Sequence, residues 1–474
     1  MTANRKNIAH FVVCEQVSNF TTPKVCLHMT LDYDIKFVNK EISPFGGLSL
    51  FLKMLERCRF SEKLEASGLP LQGSNRGYNP IQLILGLFAG IWCGANSFGH
   101  LDVVRYDNVL CRLLGWNRGA DHRAYQRYFN KFSQAVNQRV FGELYHWFFS
   151  QLIFDNYTID FDSTVMVREG CQEGAVKGYN PKRPGRPSHH PLLAFVSDVR
   201  MIANYWLRPG NTSATSNYLA FLEDTLSRLT GKHVGLVRMD SGFFSKDILY
   251  CLESKHLHYI IACRFNNRIK YSLTHQQAWT ELAEGLDIAE TVYQAEGWGE
   301  ARRIVMVRQE IEKRPKAAGK VVKQLELFED EAEYGKYRYS CYVTNLDLPA
   351  RIVYDSYRGR ADSENRIKEL KADFALDEFV SHNFWATEAC GNFIIMAYNF
   401  MSLFRHALIN SDKKQFLKTI RYELLSTPAY LGSSKGTKDK HILYLARSLK
   451  TRKSFLTLWN KLKDFSLPYD TEKS

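Results

Sequence analysis

The chain has 474 residues, 45% hydrophobic and 13% aromatic, enough for two or three domains with large cores. Lys+Arg number 63 against 50 Asp+Glu, a formal net charge of +13, which favours nucleic acid over a membrane as partner because neutralising phosphates releases counterions. The 10 cysteines form no CxxC pair, which excludes a disulfide frame or a zinc ribbon and suits reduced core thiols.

Met1–Gln16 is polar and mixed, so no secretory signal is expected there. A short strand pair is predicted at Lys24–Met29 and Asp34–Val38, followed by a turn at Ser43–Gly47. From there to about residue 153 the period is helical. The segments are Leu48–Leu64, Ile81–Trp92, Leu101–Leu114, Asp121–Phe132 and a long stretch to Ile153. Asn79-Pro80 is a capping residue followed by a proline in the first turn. Residues 1–153 therefore read as a mostly helical N-terminal, DNA-binding domain.

At Tyr157 the period changes from 3.6 to 2. YTIDFDST alternates apolar and acidic residues and puts Asp160 and Asp162 on one face of a strand. The loop GYNPKRPGRPSHHP follows, stiffened by prolines and carrying Lys182, Arg183, Arg186, His189 and His190, a plausible phosphate contact. Strands at Leu192–Ser197 and Ile202–Leu207, a helix near Ser216–Leu229 and the strand His233–Asp240 come next. A helix at Phe244–Glu253 and a strand at Tyr259–Cys263 complete the first half of a mixed sheet, residues 154–264. Residues 265–346 read as a β-rich insertion, with strands at Ile288–Gln294, Arg303–Gln309 and Tyr337–Thr344 and with Trp298 at a hairpin, as a sheet-edge or DNA contact. Glu312–Lys323 and the acidic Gln324–Glu333 are polar interruptions.

Residues 347–411 hold the stretch YRGRADSENRIKELKADF, Tyr357–Phe374. At about 100° per residue, Tyr357, Arg360, Glu364 and Lys371 fall within roughly 60° of one another on a helix. One carboxylate flanked by two cations and a phenol suits a metal ligand placed beside nucleic acid. Gly359 costs a helix about 1 kcal/mol relative to alanine, so the regular helix is expected to start near Arg360. Trp385–Leu408 is a second, apolar helix, interrupted by Asn399 and Arg405 and too short for a membrane span. The basic tail, 412–474, reads as helical.

Three carboxylates stand out: Asp162 in a strand, Asp240 at a strand end and Glu364 on a helix. Two divalent cations held by such a trio would clamp the attacking and leaving oxygens of a phosphodiester. Mg²⁺ suits it, because Mg²⁺ takes oxygen ligands and keeps waters for substrate. Asp160 competes with Asp162 as first ligand, since both share one face.

The run Tyr357-x2-Arg360-x3-Glu364-x6-Lys371 resembles the YREK signature of bacterial insertion-sequence DDE transposases. DFDST around Asp162, RMDSGF around Asp240, the segment GYNPKRPGRPSHHPLLAF and LRPGN are similar to motifs of that family's subgroup with a β-rich insertion. The resemblance covers about 45–460. It implies an α/β fold with an RNase H-like mixed-sheet catalytic core, helical at both ends. It implies cleavage of transposon ends and joining to target DNA, with Asp162, Asp240 and Glu364 binding two Mg²⁺ ions, Mn²⁺ substituting. It further implies that Tyr357, Arg360 and Lys371 contact DNA, that terminal inverted repeats are held in a synaptic homodimer, and that the protein works in the bacterial cytoplasm at the nucleoid. A catalytically silent DNA-binding relative and an RNase H-like nuclease are the alternatives.

Overall fold

The computed structural model describes residues 34–181, 183–276, 278–310, 337–409, 415–434, 437–446 and 449–471. Glu41–Ser474 is one compact unit and Met1–Lys40 another. In the second, Asp34–Val38 is not a strand, while Lys24–Met29 lies outside the described residues.

Helices α1 (Ser49–Arg57), α2 (Phe60–Ala66), α3 (Pro80–Cys93), α4 (Asp102–Arg105), α5 (Asn108–Leu113), α6 (His122–Phe129) and α7 (Gln134–Ser150) open the main unit. The single segment expected over Leu48–Leu64 is two helices, because Arg59 adopts a left-handed φ of 53° between them. Leu101–Leu114 is likewise divided, with Asp107 capping α5 through a hydrogen bond from Leu110 N–H. Asn79 caps α3 as its sequence predicts, accepting from Ile81 N–H.

The strands are β1 (Leu152–Ile153), β2 (Tyr157–Ser163), β3 (Met166–Val167), β4 (Val176–Lys177), β5 (Pro187–His189), β6 (Leu192–Val196) and β7 (Met201–Trp206). Helix α8 (Tyr218–Arg228), β8 (Val234–Met239), α9 (Lys246–Ser254), β9 (Tyr259–Ala262) and α10 (Asn267–Thr274) follow. The insertion contributes β10 (Thr280–Ala283), β11 (Leu286–Tyr293), β12 (Arg302–Glu310) and β13 (Tyr337–Thr344). One mixed sheet runs β10-β11-β12-β13-β9-β8-β2-β6-β7. The insertion is therefore an extension of the catalytic sheet, joined where β13 pairs antiparallel with β9. Strand β2 is third from the β7 edge, parallel to β8 and antiparallel to β6.

After the sheet come α11 (Ala350–Arg358), α12 (Ala361–Ala372) and α13 (Phe384–Phe404). Helix α13 is mostly apolar and almost wholly buried, with the N-terminal helices on one side and β7 on the other. Phe51 stacks on Phe404 with ring centroids 4.1 Å apart, and Phe60 meets Phe400 at 4.6 Å. Toward the sheet, Asn399 accepts from Ile202 N–H and donates to Ile202 O, at 2.9 and 2.8 Å, pairing backbone groups of an edge strand. No helix among the described residues is long and apolar enough to cross a membrane. The eight described cysteines are all free thiols.

The tail departs from its all-helical expectation. After α14 (Leu417–Ile420) it forms a hairpin, β14 (Ala429–Ser434) with β15 (Thr437–Leu445), before α15 (Leu449–Asp464). Its last strand, β16 (Tyr469–Asp470), pairs parallel with β1.

Candidate active site

Strands β2 and β8 are parallel neighbours, with Asp160 in register with Arg238. Side chains alternate along a strand, so the next positions on that face are Asp162 and Asp240, at the carboxyl ends of both strands. Two layers result. In the lower one Asp160 is fully buried, and Arg238 grips it through Nε and Nη2 at 2.6 and 2.8 Å. Ser363 Oγ donates to the same carboxylate at 2.6 Å. Both of these Asp160 partners, Arg238 and Ser363, are protein donors.

In the upper layer Asp162 keeps 10% of its side-chain exposure and pairs with Arg360 Nη2 at 3.0 Å. Burial pushes the Asp162 carboxyl up to about 6; Arg360 opposes that rise, and the charges of Asp240 and Glu364 add to it. Asp240 follows β8 and accepts from Gly242 N–H at 2.8 Å, closing the turn after the strand. Arg264 clamps that turn from outside, donating to Ser241 O and Gly242 O at 2.7 and 2.8 Å. Glu364 is exposed in the first turn of α12, where a carboxylate is favoured by the helix dipole.

A cleft of about 600 Å³ opens beside Asp240. Ser163, Thr164, Tyr179, His190 and Lys371 also line it. Lys371 is held at its wall by donating to Val165 O at 2.7 Å. The proline-rich loop borders the cleft with Arg183 and Arg186 exposed, Arg183 lying 3.5 Å from Glu169. Lys182 lies outside the described residues.

Four sequence expectations change. Arg360 faces inward, 8% exposed in its side chain and paired to Asp162, rather than standing on an open polar stripe. Tyr357 lies in the last turn of α11, ahead of the stripe, its half-buried ring 4.4 Å from that of Tyr342. His189 is fully buried, accepting from Arg168 Nε at 3.0 Å and donating to Glu173 O at 2.9 Å; burial pushes its pKa down to about 4. It is a neutral brace of the loop, not one of its exposed cations. Trp298 is buried among Phe244, Tyr293 and Arg302, whose guanidinium lies 4.7 Å from its ring, so it packs the insertion.

Among the described residues no three His, Cys, Asp or Glu side chains converge closely enough to hold a metal. The donor set nonetheless fits a hard divalent cation. It is all carboxylate oxygen, and Arg360, with a buried, unpartnered Nε, supplies positive charge 3.0 Å from Asp162. Arg238, Arg264 and Ser363 escaped the sequence reading. The available signal was a cation inside the otherwise apolar strand HVGLVRMD.

A solved piggyBac transposase synaptic complex with hairpin DNA is similar to this chain at a TM-score of 0.44 and 12% identity, over 81% of this chain and 80% of that one. None of the curated proteins matches in sequence. Residues 31–467 match the family model for transposase DDE domain group 1, and with most of its length matched the chain belongs to that family.

Proposed function

We propose that this transposase binds double-stranded DNA, cleaves transposon ends at their terminal inverted repeats and joins them to target DNA. The observation that carries this is the buried Asp162 carboxylate paired with Arg360 Nη2 at 3.0 Å, at the carboxyl ends of β2 and β8, where Asp240 also lies. Asp162, Asp240 and Glu364 would hold two Mg²⁺ ions, or Mn²⁺ in their place. Bound there, the ions supply Lewis-acid stabilisation of the attacking and leaving oxygens in hydrolysis and then transesterification.

The chain's own residues do the remaining work. Lys371, fixed against Val165 O in the cleft wall, offers its charge to a non-bridging phosphate oxygen. Arg183 and Arg186 neutralise phosphates farther along the strand. Arg360 balances Asp162 from within, and Arg264 keeps the Asp240 turn in shape. Two protomers, each with one transposon end, would make up the synaptic complex.

Glu364→Gln is the direct test. The residue is exposed, so stability should change by no more than about 0.5 kcal/mol. Binding of end DNA in EDTA should persist while cleavage disappears. Strand transfer at the wild-type rate by this variant would remove Glu364 from the site. Wild-type protein that binds ends without cutting would indicate a silent relative, and cutting regardless of end sequence would indicate a nuclease.

A further inference from the structure

We infer that Asp160 and Arg238, closed by Ser363, form a positioning strut that fixes the three catalytic carboxylates relative to one another. The inference rests on the reading of Asp162, Asp240 and Glu364 as the metal-binding trio. Each member of the strut lies one or two residues from one of the three. Asp160 precedes Asp162 by two on β2, Arg238 precedes Asp240 by two on β8, and Ser363 directly precedes Glu364 on α12. All three are buried, at 0%, 5% and 1% exposure.

The bonds run between elements, not along them. Arg238 spends Nε and Nη2 on Asp160, adds Ser197 Oγ at 2.9 Å, and sends Nη1 to Ser356 O at 2.5 Å near the end of α11. Ser363 reaches Asp160 from α12 at 2.6 Å. Strands β2 and β8, the chain after β6 and both helices therefore meet on one ion pair, α12 at its carboxylate and α11 and Ser197 at its guanidinium. A shift of α12 against the sheet would break the Ser363 bond, and a shift of α11 would break the Ser356 bond. Replacing a buried ion pair with well-packed apolar groups often leaves stability unchanged or improves it. Its value here lies in registry: it transmits the spacing of two strands and a helix to the metal-binding layer one step above. Outer groups of this kind typically change metal affinity or activity by about 10–100-fold when removed.

Asp160→Asn risks unfolding, because it leaves Arg238 buried without a counterion. Ser363→Ala keeps the ion pair and removes only the link to α12, so it is the decisive variant. Mn²⁺ binding to the full chain without DNA is measured by calorimetry, and single-turnover end cleavage at saturating DNA is measured alongside. Ser363→Ala is expected to lower Mn²⁺ affinity and the cleavage rate by about tenfold or more. Its end-DNA affinity in EDTA should match wild type, and its thermal midpoint should fall only by the loss of one buried charge-assisted hydrogen bond, with unfolding still cooperative. Wild-type Mn²⁺ affinity and cleavage rate in Ser363→Ala would overturn the strut, as would a loss confined to DNA affinity. The trio reading fails separately, if Glu364→Gln binds Mn²⁺ and cleaves as wild type does.

Discussion

Gly359 lies between α11 and α12 in ordinary helical backbone, with φ −56° and ψ −22°, so nothing in its conformation requires glycine. Replacing glycine by alanine at an exposed helical position ordinarily stabilises by about 1 kcal/mol. Here a Cβ would stand 2.6 Å from Arg238 Nη1 and 3.3 Å from Ser356 O. A guanidinium on the surface would swing away, but this one is held by Asp160, Ser197 and Ser356. Gly359→Ala must push Nη1 off Ser356 O, and a hydrogen bond from a charged group is worth about 1.5–3 kcal/mol. The loss exceeds the helix gain, so the variant should be less stable by about 0.5–2 kcal/mol. Urea denaturation in EDTA, compared at the transition midpoint with unchanged slope, measures this. A Gly359→Ala protein more stable than wild type would show that Arg238 is free to move and that the four contacts do not restrain it.

Glu388 on α13 gives a pH prediction. Burial pushes its carboxyl up to about 7 from 4.5, against hydrogen bonds from Asn137 and the Leu207 amide. The native state therefore holds a proton that the unfolded chain has released between about pH 4.5 and 7. Stability attributable to Glu388 falls as pH rises through that window, by about 3 kcal/mol in all. Glu388→Gln should flatten the wild-type slope there in denaturation series, and an identical slope would assign the proton elsewhere. Trp298→Ala should cost about 3 kcal/mol through lost packing while leaving end-DNA affinity within twofold in a filter-binding assay. A tenfold loss of affinity in a folded protein would return Trp298 to the DNA interface.

The residues legible in the sequence were those whose signal is local. Alternation in YTIDFDST, the carboxylate after HVGLVRM and the Asn79-Pro80 cap each fit within one element, and each element formed. What stayed hidden depends on neighbours far along the chain. Asp160 and Asp162 are equivalent by alternation; they are separated by Arg238, 78 residues away, and Ser363, 203 away. Arg360 turned inward because Asp162 lies beneath it, which no helical projection of its own segment contains. His189 looked like a loop cation, but the buried Arg168 opposite it requires a neutral acceptor. The tail's lysines suggested a solvated helix, although Gly432-Ser433-Ser434-Lys435-Gly436 is turn chemistry between two tyrosines, Tyr430 and Tyr444, whose rings stack at 4.8 Å.

The continuity of the insertion with the catalytic sheet bears on how the protein is made. Strand β9 acquires its outer neighbour only when β13 exists, and β1 pairs with a strand more than 300 residues later, with Thr471 bonded to Ile153 across 318 positions. Contacts of such long range make folding slow and leave strand edges open in the meantime. At roughly 5–20 residues per second, the ribosome needs about 10–40 s to pass from the first carboxylate to the third. During that interval Asp160 waits for Ser363, and β2 and β8 stand without the helix that completes the site. With Glu364 completing the site as proposed, a growing chain would be unable to cut DNA until most of it has been synthesised, and chaperone demand should be greatest while the sheet is half built.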